Sequence, residues 1–238
     1  MAMPSDDAGS ARRVSALVGV LLAAGMSLSG CSDDDPVQGP PGKVLPAARD
    51  ALVTTSGVSL SLTTEELPSE VDGVLEATGV ATRAPAFEGE LTVSLNGLDV
   101  DVPVISVDGT VYAQLPFTAS FAEVNPADYG APDPAQLMAS GTGIAAWLTE
   151  ATEVESGDQV RQGDTVLSTY TGTLSGQVVD ASIPSADADA DFPVVFRIDD
   201  AGRLRSVVIS GPFYGDKGEV EYTVALDDYG TTKDIEAP

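Results

Sequence analysis

The chain contains no histidine, a single cysteine, and only 11 Lys and Arg against 37 Asp and Glu in 238 residues. Each shortage excludes some chemistry. Without His there is no Ser-His-Asp or Cys-His machinery, no imidazole metal ligand and no His pH switch. One Cys forms no intramolecular disulfide, no Cys-rich zinc site and no iron–sulfur cluster. A formal charge of -26 repels phosphate backbones, so nucleic acid is not an expected partner. Aromatic residues are only 5% of the chain, and no G-x-S-x-G elbow is present.

What is present is aliphatic. Hydrophobic residues make up 43%, mostly Val, Leu and Ala, which is enough for a core and argues against disorder. One folded domain is the better prior for a β-rich chain of this length.

The first thirty residues read as an export signal. Arg12 and Arg13 supply a positive start, and Val14 to Met26 is an apolar run of thirteen residues interrupted by Ser15. That run is shorter than the about 20 residues a membrane span needs, and it fits a signal-peptide core of about 7–15. Leu28-Ser29-Gly30-Cys31 follows, with the pattern of a lipobox. In bacterial lipoproteins the Cys of this motif receives a diacylglyceryl thioether, and the chain is cut before it. Cys31 is therefore the candidate lipidation site, and acyl chains there give a stable anchor in the cytoplasmic membrane. The Arg pair raises a twin-arginine export route, but Val14-Ser15 lacks the bulky apolar pair of such signals. Residues 31–43 are acidic and rich in Pro and Gly and read as an extended tether. Residues 44–238 remain as the folded domain.

Within it, Leu45, Ala48, Ala51 and Leu52 are spaced for a short helix over residues 45–54. Period-2 alternation dominates residues 57–116, with Asn96-Gly97 and Asp108-Gly109 as hairpin turns. Pro103 within this run predicts an edge strand or a bulge. Residues 117–133 read as loop. Residues 134–139 and 143–151 read as helices, with Asp133 as an N-cap and Pro134 at the first helical position. Strands are predicted near 152–162, 164–173, 194–199, 204–210 and 219–228, with a short helix at 175–183 and an acidic surface loop at 185–191. Such a strand-rich chain forms a curled sheet whose apolar face is covered by only a few short helices.

These features together resemble the mycobacterial LppX/LprG/LprA/LprF lipoprotein family. The resemblance rests on the lipobox and tether leading into Leu45-Pro46, on the block Gly89 to Asp101, on Asp108-Gly109-Thr110-Val111-Tyr112-Ala113, and on Asp133-Pro134-Ala135-Gln136-Leu137 followed by Gly141-Thr142-Gly143-Ile144. It implies an α+β fold, a large curled antiparallel sheet (half-barrel) with short helices on its concave side enclosing an apolar cavity for acyl chains. It also implies an envelope lipoprotein that binds acylated lipids or glycolipids as cargo, carries them across the cell envelope, and is not an enzyme. The expected location is the outer face of the cytoplasmic membrane. Beyond the lipid and that membrane, a membrane transporter is a candidate partner. No cofactor is implied. The strong acidity sets this chain apart and leaves no evident cationic surface for an anionic headgroup.

The candidate cavity wall is the apolar face of the central hairpin, Leu91, Val93, Leu95, Val100, Val102 and Val104. Val111 and Ala113 join it, with Leu137, Ile144, Trp147 and Leu148 from the helices opposite. Acyl chains need a dry aliphatic wall with few donors; the same residues also suit an ordinary core. Trp147 reads as a gate at the cavity mouth or, with more weight, as an anchor of helix to sheet. Asp187, Asp189 and Asp191 resemble a calcium loop but lack its Gly at the sixth position and its Glu at the twelfth, so a solvated acidic loop is expected. With 37 acids in the chain, carboxylate pairs such as Glu65-Glu66 carry no catalytic signal. The competing function is a structural or adaptor lipoprotein with a filled core and a protein partner.

Overall fold

A computed structural model describes residues 39–129 and 131–238. The lipobox, Cys31 and most of the expected tether lie outside them. The described chain forms twelve strands, three α-helices and three short 3-10 turns. The strands build an antiparallel, open sheet in the order β6-β5-β4-β3-β2-β1-β12-β11-β10-β9-β7, with β8 pairing β9 beside this path. The first half comprises β1 (Gly57–Thr63), β2 (Gly73–Thr82), β3 (Ala86–Leu95), β4 (Leu98–Val107), β5 (Thr110–Ala113) and β6 (Ala122–Val124). The second comprises β7 (Thr152–Ser156), β8 (Val160–Gln162), β9 (Thr165–Ser175), β10 (Asp191–Ile198), β11 (Leu204–Gly211) and β12 (Val220–Asp227). The short edge strands β6 and β7 carry Glu123, Glu153 and Glu155, charges that discourage edge-to-edge pairing with other chains.

The alternating pattern sets the faces. In β10 the residues Phe192, Val194, Phe196 and Ile198 are buried, while Asp191 and Pro193 are exposed. Both predicted hairpin turns form. Asn96 and Gly97 take φ of 51° and 76°, and Asp108 and Gly109 take 54° and 76°. Positive φ at both central residues is the type I′ pattern whose twist matches the flanking strands. The turn after Leu95 sets Leu91 opposite Val102 and Val93 opposite Val100, all on one face.

Helix α1 (Pro41–Thr54) starts four residues before the predicted boundary. Pro41 stands in its first turn, where a missing N–H costs nothing, so Pro41–Lys43 are helical rather than tether. Helices α2 (Gly143–Glu150) and α3 (Gly176–Asp180) complete the layer, and α1 packs on α2 and α2 on α3.

Four further expectations are corrected. Residues 122–124 are a strand, not loop: they pair with β5, which has no other neighbour on that side. The predicted helix at 134–139 shrinks to a 3-10 turn, Gln136–Met138. The Asp133 carboxylate accepts from the Ala135 N–H two residues on, a local turn that competes with helix. The stretch 152–162 splits into β7 and β8. Pro103 marks neither an edge nor a bulge, since β4 lies between β3 and β5 and its pairing with β3 runs unbroken through Pro103. The Pro103 carbonyl accepts from the Gln114 N–H at 3.0 Å, so its polar side faces the point where β5 stops, and no bond to β3 is lost.

Candidate functional site

Two apolar cavities of about 50 and about 70 Å³ open beneath the inner face of the sheet. The first is walled by Leu60, Ala77, Phe87, Leu91 and Val224 from the strands, with Leu137, Trp147 and Ile183 from the covering layer. The second is walled by Val93, Leu95, Val102, Val104, Val111 and Ala113, with Leu115, Val124 and Tyr129 closing it. Leu91, Pro132 and Pro134 line both, so the Ala131–Pro134 segment stands at their common wall.

A buried polar contact holds that segment. Ser106 continues the inward phase of Val102 and Val104 on β4 and is fully buried. Its hydroxyl donates to Asp133 Oδ1 at 2.6 Å, and the same oxygen accepts the Ala135 N–H at 2.9 Å. A buried hydroxyl needs such a partner, and a charged acceptor makes the bond stronger than a neutral one.

The space above β2 and β3 depends on two facing glycines. Gly79 lies opposite Gly89 in the sheet. A Cβ on Gly89 would stand 2.1 Å from the Thr78 carbonyl oxygen and 2.7 Å from the Phe87 ring. Their bareness lets Phe87 lie flat across the strands as part of the first cavity's wall.

At the other side of the first cavity the Tyr222 hydroxyl donates to the Val74 carbonyl at 3.0 Å and lies 2.8 Å from the Tyr214 hydroxyl. Burial pushes both phenols above their usual value, and the neighbouring Tyr214 pushes Tyr222 further. Both rings therefore stay neutral. Tyr222 also stacks edge-on against Phe213, at 5.2 Å between ring centres. The resulting surface is almost wholly apolar, and these two hydroxyls are bonded to each other and to the Val74 carbonyl.

Of the twelve predicted wall residues, nine line a cavity: Leu91, Val93, Leu95, Val102, Val104, Val111, Ala113, Leu137 and Trp147. Three do not. Val100 faces Val93 but sits near the hairpin tip, where Leu98 is 69% exposed. Ile144 and Leu148 are fully buried in the core, because α2 packs against α1, α3 and the 3-10 turn Gln136–Met138. The wall contributed by β1, β2, β11 and β12 was not predicted. Nor was Ser106, although a Ser in the phase of Val102 and Val104 is a readable signal, since a polar side chain on a buried face requires a partner. Among the described residues no cluster of three acidic side chains could hold a metal. Asp187 instead accepts the Asp189 N–H at 2.9 Å within its own loop. No described helix is long and apolar enough to cross a membrane.

The LppX_LprAFG lipoprotein family matches residues 40–236. The lipoarabinomannan carrier protein LprG of Mycobacterium tuberculosis is 26% identical over 200 residues, spanning 80% of this chain and 81% of that protein. The Mycobacterium bovis protein of the same name matches to the same extent. Among solved structures, LprF from Mycobacterium bovis superposes with a TM-score of 0.65 at 18% identity, covering 83% of this chain and 96% of the other. LppX from Mycobacterium tuberculosis superposes with a TM-score of 0.58 at 15% identity, covering 83% of this chain and all of the other. At those identities the two structures establish the fold.

Proposed function

The chain belongs to the LppX_LprAFG lipoprotein family, one relative of which is named a lipoarabinomannan carrier protein, and on that premise we propose that it is a non-enzymatic carrier that holds the acyl chains of a lipid or glycolipid between its sheet and its helical layer and carries them across the cell envelope. The supporting observation is the pair of apolar cavities that meet at Leu91, Pro132 and Pro134. Their walls offer hydrocarbon and almost no unspent polar group. Binding then works by desolvation, at about 0.8 kcal/mol per methylene taken from water. Two or three acyl chains supply ample affinity without any specific headgroup contact.

Both cavities are smaller than the roughly 300–1,000 Å³ of a typical small-molecule pocket. Loading therefore requires the covering layer to move off the sheet. The Ala131–Pro134 segment is the natural place for this, since it borders both cavities and is fixed to β4 by the side-chain bond from Ser106. Acyl modification at Cys31 would hold the carrier at the outer face of the cytoplasmic membrane. The charge of -26 keeps the domain from lying flat on that anionic surface.

The small cavity volumes favour a second reading, an adaptor lipoprotein with a filled core and a protein partner. Mass spectrometry of the protein purified from its native envelope separates the two. The carrier reading expects acylated lipid to co-purify; protein free of lipid from several growth conditions would refute it.

A further inference from the structure

Trp147 is the only tryptophan in the chain and lies on α2 with 1% of its surface exposed. It lines the first cavity, opposite the inner face of the sheet. Its indole Nε1–H has no hydrogen-bond acceptor. This is unusual, because buried donors are nearly always paired and an unpaired one keeps its full desolvation penalty. A side chain that lines this hydrocarbon-walled cavity thus carries a donor without a partner.

Hydrocarbon cannot satisfy that donor, whereas the carbonyl of an acyl ester can. An ester oxygen accepts without donating, needs no charge, and enters an apolar site at lower cost than a hydroxyl or amide. We propose that Trp147 Nε1–H donates to an ester carbonyl of the bound lipid, so that the site selects ester-linked acyl chains over ether-linked chains of the same length. The inference rests on the carrier reading and adds a chemical class to it. It gives the lipid a fixed depth, since the carbonyl marks where the chain ends and the glycerol or sugar begins. It also gives Trp147 a role beyond anchoring α2.

The test uses the full chain labelled with nitrogen-15, in which a single indole N–H signal reports on Trp147. Vesicles of diester phosphatidylglycerol and of its chain-matched diether analogue are offered separately, and uptake and affinity are measured for each. The expected result is a downfield indole shift with the diester alone and about tenfold tighter binding of the diester, the effect of one neutral hydrogen bond. Trp147→Phe keeps the ring and removes the donor; it should bring the two affinities together while still binding the diether lipid. Equal affinities and an unchanged indole signal in the unsubstituted protein overturn the inference and leave the carrier reading standing. Uptake of neither lipid overturns both. The nuclear magnetic resonance arm needs no variant, so a poorly folding Trp147→Phe protein does not weaken the test.

Discussion

Ser106 on β4 and Asp133 in the covering segment are joined by a 2.6 Å hydrogen bond, made by the only polar side chain among the inward residues Val102, Val104 and Ser106 of that strand. Removing the hydroxyl leaves Asp133 with the Ala135 N–H as its remaining donor. Ser106→Ala is expected to cost about 1–2 kcal/mol. Thermal unfolding should show this as a drop of roughly 2–8 °C in Tm. The same variant should take up lipid faster, because the segment at the common wall of the two cavities is no longer pinned. A stopped-flow assay with a fluorescent fatty acyl lipid measures the rate.

The Tyr214–Tyr222 pair predicts a response to alkali. Tyrosine in the unfolded chain ionises near pH 10, at about its ordinary value, whereas burial raises both groups in the folded protein. The folded state therefore binds protons that the unfolded state has released. The contribution is complete below the unfolded value and is lost as pH rises above it. Urea unfolding at about pH 8 and about pH 11 should show the midpoint falling at the higher pH. Tyr222→Phe should be less stable by about 1 kcal/mol at the lower pH and fall less steeply.

The two cavities can be closed separately. Ala77 lines the first and Ala113 the second, and each is buried. Ala77→Phe and Ala113→Phe should each cost about 1–3 kcal/mol through overpacking. Each should reduce the acyl carbon recovered with the purified protein, and the double variant should carry none. Quantitative lipid mass spectrometry reads the outcome; undiminished cargo in both single variants would place the lipid elsewhere.

Cys31→Ala should move the protein from the membrane fraction to the soluble fraction, since the proposed anchor is attached there. Immunoblotting of fractionated cells checks this. Lipid binding by the purified variant should be unchanged.

How much was legible in the sequence depended on whether the cause was local. The hairpins at Asn96-Gly97 and Asp108-Gly109 could be read because positive φ at both positions selects those residues, and the register then followed by counting. The β3–β5 part of the cavity wall followed from it. The remainder was non-local. That β1 and β12 are neighbours, and so bring Leu60 and Val224 to one wall, is a pairing between strands far apart in the chain. The loss of the helix at 134–139 turned on Asp133, whose carboxylate is drawn across to Ser106 rather than only capping its own segment. Pro103 was misjudged because its tolerance depends on where β5 happens to end.

The strand order has a consequence for how the protein is made. Strands β1 to β6 run outward from the centre in chain order, and β9 to β12 run back inward, so nearly every pairing joins strands close together in the chain. The β1–β12 seam alone joins the first strand to the last. The two meanders can form early from short-range contacts, but the seam closes only after the whole domain has been delivered. Until then β1 and β12 each present a bare edge. The hydrocarbon-lined interior is thus completed as the final step of folding, when the last strand docks.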